Sequence, residues 1–596
     1  MDQAIITVLV ILAITVILLV FEIVRIDIVA LLCLLALTWT DVITPQEAFA
    51  GFSSNAVISM MAVMILGHGL AKTGIMDSYS RIVINKVGAS RSKLVGVTSL
   101  LSGVLSAFIQ NIGAAALFLP GIMNISRRSK IPASALIMPI GFATIIGGAI
   151  SMVGSGSLIV VNDLLRSAGM ETYSLFSVAP VGIALLIFGV TYFYFFGSKV
   201  LPSESDQKLL VSDQEKLIQA LNLPNQIWPF VIPPKSTLVG LTTEQSGVWD
   251  NYNLHILGLS RDRELEYAPW RESSFQAGQE VAILGEKTAV EQFAGAYDLI
   301  PRNSDDHFTA LNDPTRAGFA EVIIPPRSEL VGKTIRQYTL RKRYAVEPVT
   351  LFSRGEQIRG DFSDHQINSG DTMIVHGLWE NIESMRTGAN FVVITSFSHN
   401  KKDSSKSWLA LLCFLVGIIL ALAGTSIALA FLTGAVAAVL LKVLSIEEAY
   451  KAIEWKVIFL IAGLIPLGTA MQNTGAAAFL AGILMQQIQD GHPLLLLLAI
   501  AFLGTLLSLF ISNVGAVVVL TPLVINIALI GELDPRPLVL LAAVSALNSF
   551  ILPTHQVNAL LMSSGGYRNA DYLKAGSGMT LVFIIVVVFM FYLFYI

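Results

Sequence analysis

The sequence predicts a polytopic α-helical membrane protein. It reads as an inverted repeat of five crossings plus one re-entrant hairpin in each half, with an α+β insert of two similar subdomains between the halves. Three observations carry this. Of 596 residues, 54% are hydrophobic and 13% charged, about half the charged share of a soluble chain, and several apolar runs reach membrane-spanning length. The charges are uneven, 44 of 80 falling in residues 201–400. Two internal repeats run through the chain, one relating the apolar halves and one confined to the charged middle. This composition excludes a soluble enzyme, a secreted disulfide scaffold and a disordered chain. The two cysteines, Cys33 and Cys413, lie in apolar segments and make no zinc site. A net charge of −4 gives no footprint for nucleic acid.

In chain order, residues 3–21, 27–40 and 56–71 are the first three crossings. The first is read as a retained span, since no charged n-region precedes it and no small-residue cleavage site follows. Residues 75–90 are amphipathic and lie along the surface. The apolar stretch 94–125 is interrupted by Gln110-Asn111-Ile112-Gly113. Both its flanks are basic, Arg91 and Lys93 before, Arg127, Arg128 and Lys130 after, which places both ends on the cytoplasmic side. A hairpin is expected, because non-helical backbone at membrane depth survives only where it lines a protein cavity. Crossings at 133–166 and 176–198 complete the half. The second half repeats the pattern: 408–424, 425–441 and 457–473, then 491–530 broken by Ser512-Asn513-Val514-Gly515, then 537–562 and 577–596. The flanks of that hairpin (Gln489, Asp490 and His492; Glu532, Asp534 and Arg536) are not net basic and fit the outside. Five crossings per half is odd, so the second half is inverted and residues 202–406 fall in the cytoplasm, as does the Arg568–Lys574 loop.

The repeat is explicit in the residues. Gln46-Glu47-Ala48-Phe49 recurs as Glu447-Glu448-Ala449-Tyr450, and Lys72-Thr73-Gly74 as Asn473-Thr474-Gly475, at an offset of 401. Ser106, Asn111, Gly113 and Pro120 recur as Ser508, Asn513, Gly515 and Pro522 at 402. Inverted repeats with broken helices mark secondary transporters, whose substrate sits near the midplane. Helix N-termini attract anions there, and freed carbonyls and hydroxyls suit a hard cation such as Na⁺. Each half also has a later break, Gly147 to Ser157 and Ser549 to Gln556. The bland alternative, that Ser, Asn and Gly let helices pack closely, explains either motif alone less economically once both stand in register.

On these motifs the membrane halves resemble the divalent anion/sodium symporter family, the sodium–sulfate and sodium–dicarboxylate symporters of the ion-transporter superfamily. The resemblance implies an elevator movement and a homodimer. It implies Na⁺ sites at Ser106, Gln110, Asn111 and Gly154, and at Ser508, Ser512, Asn513 and Pro553. It further implies a substrate site drawing on Asn111, Gly113, Ser155, Asn513, Gly515 and Thr554. Gln110 stands in place of the family's first motif Ser, and Ile112 and Val514 in place of its Thr residues, which favours a compact anion such as sulfate over a dicarboxylate. A cation/proton antiporter is disfavoured because no span carries a central Asp or Glu, and a K⁺ channel because no filter sequence is present. An anion sensor that signals through the insert is a further alternative.

Within the insert, Ile232-Pro233-Pro234-Lys235-Ser236 and Leu238-Val239-Gly240 recur as Ile324-Pro325-Pro326-Arg327-Ser328 and Leu330-Val331-Gly332, offset 92, and Gly278 and Gly285 match Gly370 and Gly377. Together with Gly370-Asp371-Thr372-Met373-Ile374-Val375, these resemble the TrkA-C (RCK C-terminal) domain, in two copies over 226–298 and 315–392. Such domains dimerise and bind small regulators, in some cases a nucleotide. The domain plan is thus 1–201, 202–406 and 407–596. Arg341-Lys342-Arg343 reads as a solvated basic turn in preference to an effector site. Lys72 and His68 read as a snorkelling lysine and an interfacial histidine, and Asp163 reads as a residue near the outer mouth in preference to one in the cavity. His555 either lines the cavity or packs structurally.

Overall fold

The computed structural model describes residues 2–21, 23–73, 90–129, 131–202, 213–261, 264–302, 308–313, 316–354, 356–388, 390–395, 406–488 and 492–594. The chain divides into two compact units, Met1–Leu210 with Lys402–Ile596, and Val211–Lys401. The amphipathic 75–90 stretch falls almost wholly outside the described residues, as do the flanking Lys130, Gln489 and Asp490.

The first half of the apolar unit holds α1 (Gln3–Val20), α2 (Ile26–Trp39), the short α3 (Pro45–Ala50), α4 (Asn55–Lys72), α5 (Arg91–Ser106), α6 (Asn111–Ser129), α7 (Ser134–Gly147), α8 (Gly156–Ser167) and α9 (Ala179–Val200). The middle unit adds helices α10 (Asp213–Leu221), α11 (Lys287–Ala296) and α12 (Trp379–Thr387). The second half holds α13 (Ser407–Leu422), α14 (Ile427–Leu440), α15 (Ile446–Ala452), α16 (Trp455–Asn473), α17 (Ala476–Ile488), α18 (Pro493–Ile511), α19 (Asn513–Ile530), α20 (Pro535–Ser545), α21 (Gln556–Gly565) and α22 (Asn569–Phe594). Seven helical segments among the described residues are long and apolar enough to cross a bilayer, by length and composition. They include both arms of the second broken stretch, α18 and α19.

Local chemistry repeats with the sequence. The Glu of each Glu-Ala motif closes a capping box: Thr44 with Glu47 starts α3, and Ser445 with Glu448 starts α15. Packing between the halves is reciprocal. α2 packs on α16 and α4 on α14; α7 packs on α21 and α8 on α20; α6 packs on α21 and α8 on α19. The polar contacts follow the same rule. Lys72 at the end of α4 pairs with Glu448 of α15 at 2.6 Å, and Asn473, its counterpart at the end of α16, donates to Glu47 of α3 at 3.2 Å. Lys72 is therefore ion-paired and not simply snorkelling. Asp163 likewise has a structural partner: its carboxylate accepts from the Ala56 N–H at 2.6 Å, at the start of α4, and pairs with Arg166.

The middle unit contains two five-stranded antiparallel sheets. Strands β1 (Ile227–Val231), β2 (His255–Arg261), β3 (Glu264–Tyr267), β4 (Glu280–Leu284) and β5 (Ile300–Pro301) lie in the order β3-β2-β4-β1-β5. Strands β6 (Ala317–Ile323), β7 (Glu347–Ser353), β8 (Glu356–Ile358), β9 (Thr372–Leu378) and β10 (Val392–Val393) lie in the order β10-β6-β9-β7-β8, the same arrangement 92 residues later. The repeated motif explains itself locally. Ser236 and Ser328 accept from the N–H two residues on, at 3.2 and 3.1 Å, and Gly240 and Gly332 sit at φ 91° and 82°, a backbone shape that glycine adopts freely.

Residues at the 92-residue spacing face one another across the seam between the two sheets. Glu244 pairs with Arg336 at 2.9 Å, His255 contacts Glu347 at 3.2 Å, and Arg341 lies 4.6 Å over the Trp249 ring. Equivalent residues meeting each other mark a two-fold relation. The Arg341 side chain is buried and bonds both Glu347 oxygens, at 2.6 and 3.0 Å. The expected solvated turn is thus corrected at its first residue, because the seam needs that cation. Burial alone raises the Glu347 carboxyl, but Arg341 and His255 outweigh it and hold the group down at about 2.

Close by, His376 is fully buried, and burial pushes its imidazole down to about 4. Below about pH 6.5 the unfolded chain takes up a proton here that the folded unit refuses. Stability of this unit is therefore expected to be full above pH 6.5 and to fall by roughly 3 kcal/mol towards pH 4. His376→Leu, which copies Leu284 at the equivalent place, should flatten that slope when thermal unfolding is followed by tryptophan fluorescence. An unchanged slope would assign it to other groups.

Candidate functional site

Four helices of the apolar unit begin at chain breaks: α6 at Asn111, α8 at Gly156, α19 at Asn513 and α21 at Gln556. Polar residues in otherwise apolar runs cause these breaks, because Ser and Asn bond nearby backbone and compete with helix continuation. Ser512 sits at φ 90°, ψ 153°, a region close to glycine-only, and its hydroxyl accepts from Gly515 N–H at 3.3 Å. His555 caps α21 by accepting from Val557 N–H at 3.1 Å, so its ring nitrogen serves the helix start. The breaks converge across the halves: Gly156 at the start of α8 has the Val514 side chain of α19 beside it, and α6 packs on α21. The starts of α8 and α19, one from each half, thus lie side by side, and helix N-termini favour an anion.

Of the first predicted set, Ser106, Asn111 and Gly154 come together. The Ser106 hydroxyl donates to Asn111 Oδ1 at 2.8 Å, and both side chains are buried. Gly148 lies so close to the Asn111 amide that a Cβ there would collide with it. A Cβ on Gly154 would stand 2.7 Å from the Ser106 carbonyl oxygen and 2.9 Å from the Gly148 oxygen. The Ser151 hydroxyl ties this break to the hairpin tip, donating to the Ala107 carbonyl and accepting from the N–H groups of Val153 and Gly154 at 3.2 Å each. The Ser106 and Gly148 carbonyl oxygens thus lie against Gly154, and the Asn111 amide oxygen lies against Gly148; oxygens of this kind suit a small hard cation. Gln110 and Gly113 are half-buried, and Ser155 is buried with its hydroxyl 3.0 Å from that of Ser157.

The second set is more open. Ser508 is buried with its hydroxyl on the Thr505 carbonyl of its own helix, at 3.0 Å. Ser512, Asn513 and Pro553 are half-buried, Gly515 is buried and Thr554 is exposed. Sequence reasoning missed a network here. Asn548 donates to Thr505 Oγ1 at 3.1 Å and accepts from Thr580 at 2.9 Å. The counterparts of Thr505 and Asn548 are Gly103 and Gly147, whose backbones touch directly. The signal was a departure from the repeat, Gly-Gly in one half against Thr-Asn in the other. Among the described residues no group of three or more His, Cys, Asp or Glu forms a metal-binding cluster.

A helical membrane unit whose broken helices meet from two repeated halves defines a transporter. The profile of the citrate transporter family matches residues 16–503 and 484–596, and the chain belongs to that family. It is 29% identical to an uncharacterized transporter of Synechocystis sp. over 94% of this chain and 92% of the relative. It is 28% identical to the uncharacterized transporter YfbS of Escherichia coli, over 99% of each. Sodium/sulfate cotransporter 2 of Chlamydomonas reinhardtii is 21% identical over 56% of this chain and 39% of the relative.

Proposed function

We propose that the protein is a secondary transporter that couples Na⁺ to the movement of a small divalent anion, sulfate in first place, by an elevator movement of the binding region. The observation that carries this is the contact between chain breaks of the two halves, Gly156 at the start of α8 against Val514 of α19, next to the oxygens of Ser106, Asn111 and Gly148. The N-termini attract the anion and the oxygens the cation, so each ligand neutralises the field of the other. The inverted relation is supported by the reciprocal pairs. Lys72, at the C-terminal end of α4, meets the segment that leads into α16, and Asn473, at the C-terminal end of α16, meets the segment that leads into α4. Two helices in that relation run in opposite directions. The sulfate reading is supported by the sodium/sulfate cotransporters among the relatives. A second reading, a carboxylate substrate, is favoured by the family's own description. On this account the middle unit is a cytoplasmic, TrkA-C-like regulator, and the transporter is a homodimer.

Uptake of labelled sulfate and citrate into proteoliposomes, with and without an inward Na⁺ gradient, tests the reading. Sulfate accumulation driven by Na⁺ is expected. Uptake indifferent to Na⁺ would end the coupling claim, and citrate uptake without sulfate uptake would reverse the order of substrates.

A further inference from the structure

The middle unit holds a cavity of about 450 Å³ at the seam between its two sheets, within the size range of small-molecule sites. Asn225, Gln226, Asn253 and Lys287 line it from the first subdomain, Thr350 and Arg359 from the second. The 92-residue repeat supplies an internal comparison. The counterparts of Gln226 and Lys287 are Gly318 and Trp379, and the Trp379 indole lies where a Cβ on Gly318 would stand. Gln214 of α10 reaches the same glycine and is held by hydrogen bonds to the Phe319 carbonyl and N–H, at 2.6 and 2.8 Å. The counterparts of Thr350 and Arg359 are Gly258, covered by the Phe308 ring, and Tyr267. One fold therefore closes this place with aromatic groups in one copy and opens it in the other, with amides, the cations of Lys287 and Arg359 and the carboxylate of Glu286 on the wall; Lys287 also pairs with Glu291 at 3.8 Å. Protein interiors fill their space, so a polar opening kept at one of two equivalent places calls for an occupant.

We propose that this cavity binds a small organic di- or tricarboxylate. Arg359 offers a planar fork that matches a carboxylate, and its donation to the Leu221 carbonyl at 2.9 Å fixes it at the rim. Lys287 adds a second cation and opens the ten-residue α11, whose N-terminus favours negative charge. Asn225, Gln226 and Asn253 supply amide donors for the remaining carboxylate oxygens. A compact oxyanion would leave most of the volume empty. Because both subdomains contribute, occupancy bears on how they pack against each other.

Titration calorimetry on the full-length protein in nanodiscs tests this. The titrations use Na⁺-free buffer and the Asn513→Ala background, which silence the membrane site. Citrate, succinate, sulfate and AMP are the probes. Saturable binding of citrate or succinate is expected, weakened about tenfold by Lys287→Gln and abolished by Gln226→Gly with Lys287→Trp, which copies the plug of the sister subdomain. Lys287 is exposed, so its Gln variant leaves the fold intact. Carboxylate binding that both variants leave unchanged, absence of carboxylate binding, or binding of AMP or sulfate alone would overturn the proposal.

Discussion

Replacing Asn111 or Asn513 with alanine is expected to cut Na⁺-driven anion uptake by about tenfold to 100-fold, the loss typical of a weakened ion site, while expression and gel-filtration behaviour stay normal. Asn111 is buried at the start of α6 with its Oδ1 on Ser106. Its removal takes an oxygen from the first set and leaves the Ser106 hydroxyl without that partner. Gly148→Ala should be as damaging, because the added methyl collides with the Asn111 amide. Gly482→Ala, where nothing stands within 4 Å of the new Cβ, is the matched control and should transport normally. Full activity in Asn111→Ala, Asn513→Ala and Gly148→Ala together would remove these residues from the site.

Arg341→Met is expected to destabilise the middle unit by about 3–5 kcal/mol, the cost of leaving one member of a buried ion pair alone. Glu347 would keep Trp249 and His255 as partners but lose the guanidinium that holds its carboxyl at about 2. The double variant Arg341→Met with Glu347→Leu should recover most of the loss, since an apolar replacement of a buried pair is often neutral. Urea unfolding followed by tryptophan fluorescence would show both effects. The contribution of Glu347 in the wild type is present above its unfolded pKa and is lost only as pH falls from about 4.3 towards 2. That window lies below the one assigned to His376, so the two groups separate on a pH titration. A single variant as stable as wild type would mean that the seam does not depend on the pair.

The helix breaks were legible because Gln110-Asn111 and Ser512-Asn513 interrupt long apolar runs, and a polar pair in such a run has few other uses. The paired sheets of the middle unit were legible in part, through the Pro-Pro and glycine positions that fix turns in both copies. Contacts between distant residues were not legible. Lys72 and Glu448 lie 376 residues apart, and nothing local to Lys72 separates a paired lysine from a snorkelling one. The bond from the Ala56 N–H to Asp163 joins residues 107 apart, and no local pattern around Asp163 announces it. The Arg341-Lys342-Arg343 run was legible as basic but not as buried, since burial of Arg341 depends on Trp249 and Glu347 closing over it. The Asn548 network lies where the two halves differ, Thr505 and Asn548 standing against Gly103 and Gly147.

The proposed transport cycle requires that the two membrane halves run in opposite directions and bring their broken helices to one shared site. Single cysteines at Ala133 and Leu533, each just beyond the second arm of a broken pair, test it in a background where the buried Cys33 and Cys413 are replaced by alanine. A membrane-impermeant thiol reagent added to intact cells should label Leu533→Cys at once and Ala133→Cys only after the membrane is opened. Labelling of both positions from the same face would contradict the account.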